Sequence, residues 1–210
     1  KVSFTGGTAT GRGIARKAAE KLMPVSLELG GKSPTIVFDD ADIDLALSGI
    51  LYGIFSSTGQ SCIAGSRLFV QKGIYDAFLA CLVAATRRLV IGHPFDAATQ
   101  VAPLIHPDHR AEVQAHVDRA RADGGKLLCG GGPPEGPAFA QGFYFVPTIV
   151  AGLPNTASIC QDEVFGPVLA VMKFEGEEEA LRLANSTVYG LASAVWTGNL
   201  SRAHRIVRGI

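Results

Sequence analysis

Leu27-Glu28-Leu29-Gly30-Gly31-Lys32-Ser33-Pro34-Thr35-Ile36-Val37-Phe38 can be read in two ways, and the two lead to different folds. Its Gly-Lys-Ser element matches the close of a phosphate-cradling loop, G-x-x-x-x-G-K-[ST], which would make the chain a nucleoside triphosphate-binding domain. Such a loop needs a glycine five positions before the one that precedes the lysine, so that backbone N–H groups can turn inward, and Ser26 stands there. It must also run straight into a helix. Pro34 instead disfavours the α region at Ser33 and opens the apolar run Thr35–Phe38, a strand signature. What survives is a strand end, a glycine turn and a second strand, with the carboxylate of Glu28 left at the turn.

Working outward, apolar periodicity predicts a helix over 8–23, with Ile14, Ala18 and Leu22 on one face and Pro24 stopping it, then strands at Val25–Leu29 and Thr35–Phe38. Ile43, Ala46, Leu47, Ile50, Leu51, Ile54 and Phe55 recur at three- and four-residue steps, a helix that Asp40 or Asp42 can cap. Beyond it a polar turn, Ser56-Ser57-Thr58-Gly59-Gln60, leads to Cys62. Further strands are predicted at Arg67–Gln71, Lys126–Cys129, Phe143–Val150, Val168–Phe174 and Ala192–Thr197, and helices at Ile74–Leu89, Asp108–Ala122, Glu177–Asn185 and Leu200–Val207. A Gly/Pro-rich loop covers 130–142. This alternation argues for an α/β fold of three layers, a largely parallel sheet with helices on both faces.

Composition narrows the function. Nineteen basic residues balance nineteen acidic ones, so no summed field gathers nucleic acid or an anionic membrane surface. No apolar run reaches bilayer length, nothing at the start resembles a signal peptide, and a cytoplasmic location is expected. Cys62, Cys81, Cys129 and Cys160 lie far apart with no C-x-x-C pairing, which indicates neither a zinc site nor a disulfide framework. Glycine, 25 of 210 residues, clusters at Gly6-Gly7, Gly30-Gly31 and Gly130-Gly131-Gly132, as tight turns or close backbone approaches require.

Four segments can carry chemistry. Phe4-Thr5-Gly6-Gly7-Thr8-Ala9-Thr10-Gly11 sets a strand end, a glycine turn and a helix start in order, and a helix N-terminus with free N–H groups suits a pyrophosphate. Cys62 leaves a buried helix through a glycine-containing turn, a setting in which N–H groups can favour the thiolate; the plain alternative is a packed core thiol. Cys81 reads as such a core thiol, on one face with Phe78 and Ala85, and Cys129 and Cys160 as structural. Glu28 can act as a general base at a strand end, and a carboxylate in Gln161-Asp162-Glu163-Val164-Phe165-Gly166-Pro167 can accept hydrogen bonds from sugar hydroxyls. The histidines at 93, 106, 109, 116 and 204 show no metal-ligand spacing and no relation to Cys62, and read as surface or packing residues.

The order of these segments, Phe-Thr-Gly-Gly-Thr, Leu-Glu-Leu-Gly-Gly-Lys-Ser-Pro, Gly59-Gln60-Ser61-Cys62 and Glu-Val-Phe-Gly-Pro, resembles the NAD(P)-dependent aldehyde dehydrogenase superfamily over essentially all 210 residues. The resemblance implies a fold of the family's catalytic-domain type. Cys62 would be the nucleophile that forms a thiohemiacetal and then a thioester, with its own N–H as one oxyanion donor. Glu28 would activate the hydrolytic water, which speaks against the CoA-acylating branch. Glu163 would bind the nicotinamide ribose, Phe165 would pack beside the nicotinamide, Leu29 and Gly30 would contact the cofactor (NAD or NADP) through backbone, and Gly6, Gly7, Thr8 and Gly11 would meet its pyrophosphate. The family has serine where Gly7 stands.

Members of the superfamily run to more than twice this length. Residues 1–30 are therefore expected to be the end of a cofactor domain and 31–210 most of a catalytic domain, in a parent that forms a homodimer or homotetramer and oxidises a small aldehyde. The isolated chain is expected to lack dehydrogenase turnover. Two other readings are a thiol-dependent esterase without redox chemistry and a non-catalytic fragment that pairs with full-length subunits.

Overall fold

A computed structural model describes all 210 residues. β1 (Val2–Thr5), α1 (Thr8–Glu20) and β2 (Val25–Glu28) form a separate small unit whose two strands pair in parallel, Thr5 beside Glu28. Then follow β3 (Pro34–Val37), α2 (Ile43–Phe55), β4 (Arg67–Gln71), α3 (Tyr75–Thr86), α4 (Pro107–Ala122), β5 (Lys126–Cys129), β6 (Thr148–Ala151), α5 (Ser158–Gln161), β7 (Val168–Phe174), α6 (Glu177–Ala184), β8 (Ala194–Trp196) and α7 (Leu200–Gly209). Their strands make one six-stranded sheet in the order β5-β6-β7-β4-β3-β8, parallel throughout except for β5 against β6.

Both faces of this sheet are covered, as a parallel sheet requires. Along β7, Val168, Ala170, Met172 and Phe174 enter a core with Val113 and Val117 of α4, Ile159 and Cys160 of α5, Ala180 of α6 and Ile206 of α7. The alternate residues Leu169 and Val171 enter a second core with Ile50, Ile54 and Phe55 of α2 and Phe78 and Leu82 of α3. The period of two in the strand thus divides its side chains between two helical layers, which is the three-layer α/β arrangement expected. No helix is long and apolar enough to cross a membrane.

Several sequence expectations need correction. Asp42, not Asp40, caps α2 by accepting the Leu45 N–H at 3.0 Å; Asp40 is engaged by the Thr197 hydroxyl and by Arg202. α1 ends at Glu20, four residues before Pro24, and Leu22 is 92% exposed with φ +52 instead of lying on an inner face. Cys81 is exposed, not packed beside the buried Phe78, because it falls on the outer side of α3. The strand expected at Phe143–Val150 is confined to Thr148–Ala151: Pro147 has no N–H for a ladder, and Phe143 and Val146 are held by loop contacts to Leu104 and Gly132. The one-turn α5 has too few residues to show a periodicity.

Arg67, fully buried at the start of β4, makes no ion pair. Its Nε donates to the Lys32 carbonyl at 2.9 Å, and its terminal nitrogens donate to the carbonyls of Leu183 at 3.0 Å and Ala184 at 2.7 Å. One side chain therefore ties the end of the glycine turn to β4 and to α6. Lys32 beside it is also buried, and burial pulls its pKa from 10.5 down to about 8.

Candidate active site

The segment that carries Cys62 is under backbone strain. After α2, Ser57 (φ +50), Thr58 (φ +56) and Gly59 (φ +69) are consecutively left-handed, at a cost of about 1–3 kcal/mol for each of the two that are not glycine. Neighbours hold this bend. Thr58 Oγ1 donates to the Ala102 carbonyl at 2.8 Å, Gln60 Nε2 donates to the Ser57 carbonyl at 3.3 Å, and Gln60 Oε1 accepts the Ile105 N–H at 3.0 Å. Gly59 also has no room for a side chain, since a Cβ would run into the backbone of Gly166 and Pro167. A turn closed by Ala64 N–H to the Ser61 carbonyl at 3.1 Å then presents Cys62, half-buried. The Cys62 N–H donates to no main-chain carbonyl.

Cys62 opens on a cleft of about 550 Å³. One wall is Thr5, Gly6 and Gly7 from the small unit, another is Leu29 and Gly30, a third is Glu163, Val164 and Phe165, and α4 supplies His109, Glu112 and His116. Four separate stretches of sequence therefore meet around one thiol. The two glycines of the opening motif have separate reasons. A Cβ on Gly30 would collide with the Glu163 carboxylate, and a Cβ on Gly31 would collide with the Cys62 carbonyl. The Gly31 N–H donates to Glu163 Oε1 at 3.0 Å, so the turn and the Glu163 loop are locked directly together.

Of the residues expected from sequence, Cys62, Gly6, Gly7, Leu29, Gly30, Glu163 and Phe165 line this cleft. Thr8 and Gly11 do not. Thr8 is the first residue of α1, and Gly11 packs so closely on the Leu29 side chain that a Cβ would clash with it. Glu28 is exposed and is not part of the cleft wall, although Leu29, its neighbour in sequence, and Thr5, its partner across the strands, both are. Gly7 caps α1 with no side-chain hydrogen bond and no acidic residue follows in the first turn, so the N–H groups of that turn face no carboxylate of their own helix.

Two histidines depart from the expectation of surface or packing roles. His109 and His116 both line the cleft, with Glu112 between them. The signal is present in the sequence: 109, 112 and 116 fall on one face of a helix at steps of three and four. Burial lowers the pKa of His116, with the charge of Lys32 acting in the same direction, and its Nδ1 is buried without a hydrogen-bond partner.

The sequence profile of the aldehyde dehydrogenase family matches residues 1–210. The chain belongs to the aldehyde dehydrogenase family. A betaine aldehyde dehydrogenase of Brucella ovis is 46% identical over 207 residues, which cover 99% of this chain and 42% of that protein. The solved betaine aldehyde dehydrogenase of Staphylococcus aureus in complex with NAD+ superposes with a TM-score of 0.98 at 40% identity, over 100% of this chain and 42% of that one. HpcC from Thermus thermophilus superposes with a TM-score of 0.96 at 44% identity, over 99% of this chain and 41% of that one. The chain thus spans less than half the length of the aldehyde dehydrogenases it matches, and the three-layer fold is theirs.

Proposed function

We propose that the full-length protein carrying this chain oxidises a small aldehyde to its carboxylate with NAD or NADP, and that residues 1–30 end its cofactor domain while 31–210 form most of its catalytic domain. The observation that carries the reading is the meeting of Cys62 with Leu29–Gly30, Gly6–Gly7, Glu163 and Phe165 around one cleft. The family relationship and the NAD+ complex of the S. aureus relative support it.

The residues present fit a dinucleotide. Glycines at Gly6, Gly7 and Gly30 leave backbone exposed for close approach, the uncapped N-terminal turn of α1 offers N–H groups to phosphate, and the Glu163 carboxylate can accept from ribose hydroxyls. When bound, the nicotinamide supplies the two-electron acceptor of the oxidation. Everything else is work for the chain itself. The Cys62 thiolate adds to the aldehyde carbonyl, and the Cys62 N–H, which donates to no main-chain carbonyl, is available to the oxyanion. Loss of hydride from the adduct leaves an acyl thioester on the sulfur, and water must cleave it. Glu28 is assigned as the base for that water. What supports the assignment is its place at a strand end whose neighbours, Leu29 in sequence and Thr5 across the strands, line the wall.

Steady-state and burst kinetics of the full-length protein with an aldehyde and NAD+ test the roles. Cys62→Ala is expected to lose turnover by at least about 10⁴-fold, as removal of a nucleophile does. Glu28→Gln is expected to keep a first-turnover burst of NADH while losing the steady rate. A Cys62→Ala variant with normal turnover, or a Glu28→Gln variant whose burst and steady rate fall together, contradicts the assignment. The isolated 210-residue chain is expected to show weak or absent NAD+ binding by calorimetric titration; micromolar affinity would overturn that.

A further inference from the structure

Phe165 stands in an unusual conformation for a side chain of its size. Its φ is +53, a left-handed value that bulky residues adopt only under external constraint, and its side chain is part of the cleft wall. The stretch around it is held unevenly. Downstream, the Gly166 carbonyl accepts the Val168 N–H at 2.7 Å and the Pro167 carbonyl accepts the Thr148 N–H at 2.8 Å, which fastens the loop to the sheet. Upstream, Asp162 N–H donates to the Ser158 carbonyl at 2.8 Å. Between these points, residues 163–165 make no hydrogen bond from main chain to main chain.

Phe165 is instead held by a side chain. His109 Nε2 lies 2.7 Å from the Phe165 carbonyl oxygen. A carbonyl can only accept, so Nε2 carries a proton and is the donor, while Nδ1 on the other side of the ring lies 3.5 Å from the Glu112 carboxylate. The His109 ring, 17% exposed, also packs beside the Phe165 ring, with centroids 6.0 Å apart at 59°. One turn further along α4, Val113 abuts Gly166 so closely that a Cβ there would approach its methyl at 2.7 Å. Two residues four apart on one helix face thus bracket the bend.

We propose that His109 is a positioning residue: its Nε2–H, donated to the Phe165 carbonyl, fixes the left-handed bend and so aims the Phe165 ring into the cleft beside Cys62. The inference rests on the reading of Phe165 as the residue that packs against the nicotinamide. Its chemistry is that of a clamp. His109 touches no reacting atom, and its effect is carried by the angle at which the Phe165 ring closes the cofactor pocket.

The test uses the full-length protein, with hydrogen–deuterium exchange of the 162–168 segment and NAD+ kinetics read together for His109→Ala, His109→Gln and Phe165→Ala. His109→Ala is expected to speed exchange at Val168, whose N–H donates to the Gly166 carbonyl, about tenfold and to lower kcat about tenfold with an aldehyde. His109→Gln keeps an N–H donor and is expected to recover both to within about threefold, a rescue that a merely space-filling role would not give. In the Phe165→Ala background, His109→Ala is expected to add no further kinetic loss. Unchanged exchange in His109→Ala overturns the clamp, as does faster exchange with an unaltered kcat while Phe165→Ala is impaired. If Phe165→Ala itself keeps normal kinetics, the nicotinamide reading fails, and the clamp on the backbone is then decided by exchange alone.

Discussion

The small β1–α1–β2 unit and the six-stranded sheet are both built on parallel pairing, yet on opposite terms. In β3 and β6 every residue is buried, and Ile36, Leu68, Phe69 and Phe145 have no accessible surface. In β1 and β2 no residue is fully buried, and β2 is exposed at Val25, Ser26 and Glu28. Parallel strands normally have both faces covered; here β1 and β2 are supported by α1. The cleft draws on both regions, taking Cys62, Glu163 and Phe165 from segments anchored in the covered sheet and Gly6 and Gly7 from the thinly supported unit. The lesson is one of division. The stretches bearing Cys62, Glu163 and Phe165 are anchored in a sheet covered on both faces, and Gly6 and Gly7 follow a strand that is only partly covered within these 210 residues.

Substitutions that empty each region should separate them most sharply. Phe69→Ala removes a fully buried ring from β4 and is expected to cost about 3–5 kcal/mol, whereas Val25→Ala in half-open β2 is expected to cost under about 1 kcal/mol. Urea unfolding reads both. Equal costs would mean that β1 and β2 are packed as firmly as the sheet, and the contrast would fail.

A second, smaller effect comes from the boundary between the two regions, where Lys32 is buried. Its folded pKa of about 8 lies below the ordinary 10.5, so the unfolded chain binds the proton more tightly. The burden on stability is full below pH 8 and is relieved as pH rises from 8 to 10.5, in total about 3 kcal/mol. Lys32→Met, which keeps the stem and removes the charge, is expected to abolish this rise in stability with pH. A variant that keeps the same rise would remove Lys32 as its source.

Weakest of all is the surface network of Glu177 with Arg202 and Arg205. The Arg205 and Arg202 guanidinium groups hold the Glu177 pKa down to about 2. A depressed carboxylate contributes above its unfolded pKa and loses that contribution as pH falls through 4.5 toward 2. Because Glu177 is solvent-screened, Glu177→Gln is expected to lower stability at pH 7 by less than about 1 kcal/mol and to lose its effect in molar salt. A salt-independent loss would show that the network is structural.

The sequence was most legible where one physical rule dominated. Ile43–Phe55 carried its helix in the spacing of seven apolar residues, and all seven face inward or lie at its margin. It failed where the deciding partner was distant in the chain. Nothing local shows that Gly31 needs space for the Cys62 carbonyl, that Asp40 prefers Arg202 over the end of α2, or that the face of α4 bearing His109 and His116 turns toward the thiol. Motif order drew Cys62, Glu163 and Phe165 toward one site, while the exposed side chain of Glu28 shows that adjacency in a motif does not fix where a carboxylate points.

The central claim is that the Cys62 sulfur is the group that becomes acylated in this cleft. Peptide mass spectrometry of the full-length Glu28→Gln protein, quenched after a single turnover with an aldehyde and NAD+, tests it most directly. The account predicts an acyl thioester on the peptide containing Cys62 and none on the exposed Cys81. An unmodified Cys62 after a completed burst of NADH, or an acyl group found on another residue, would contradict it.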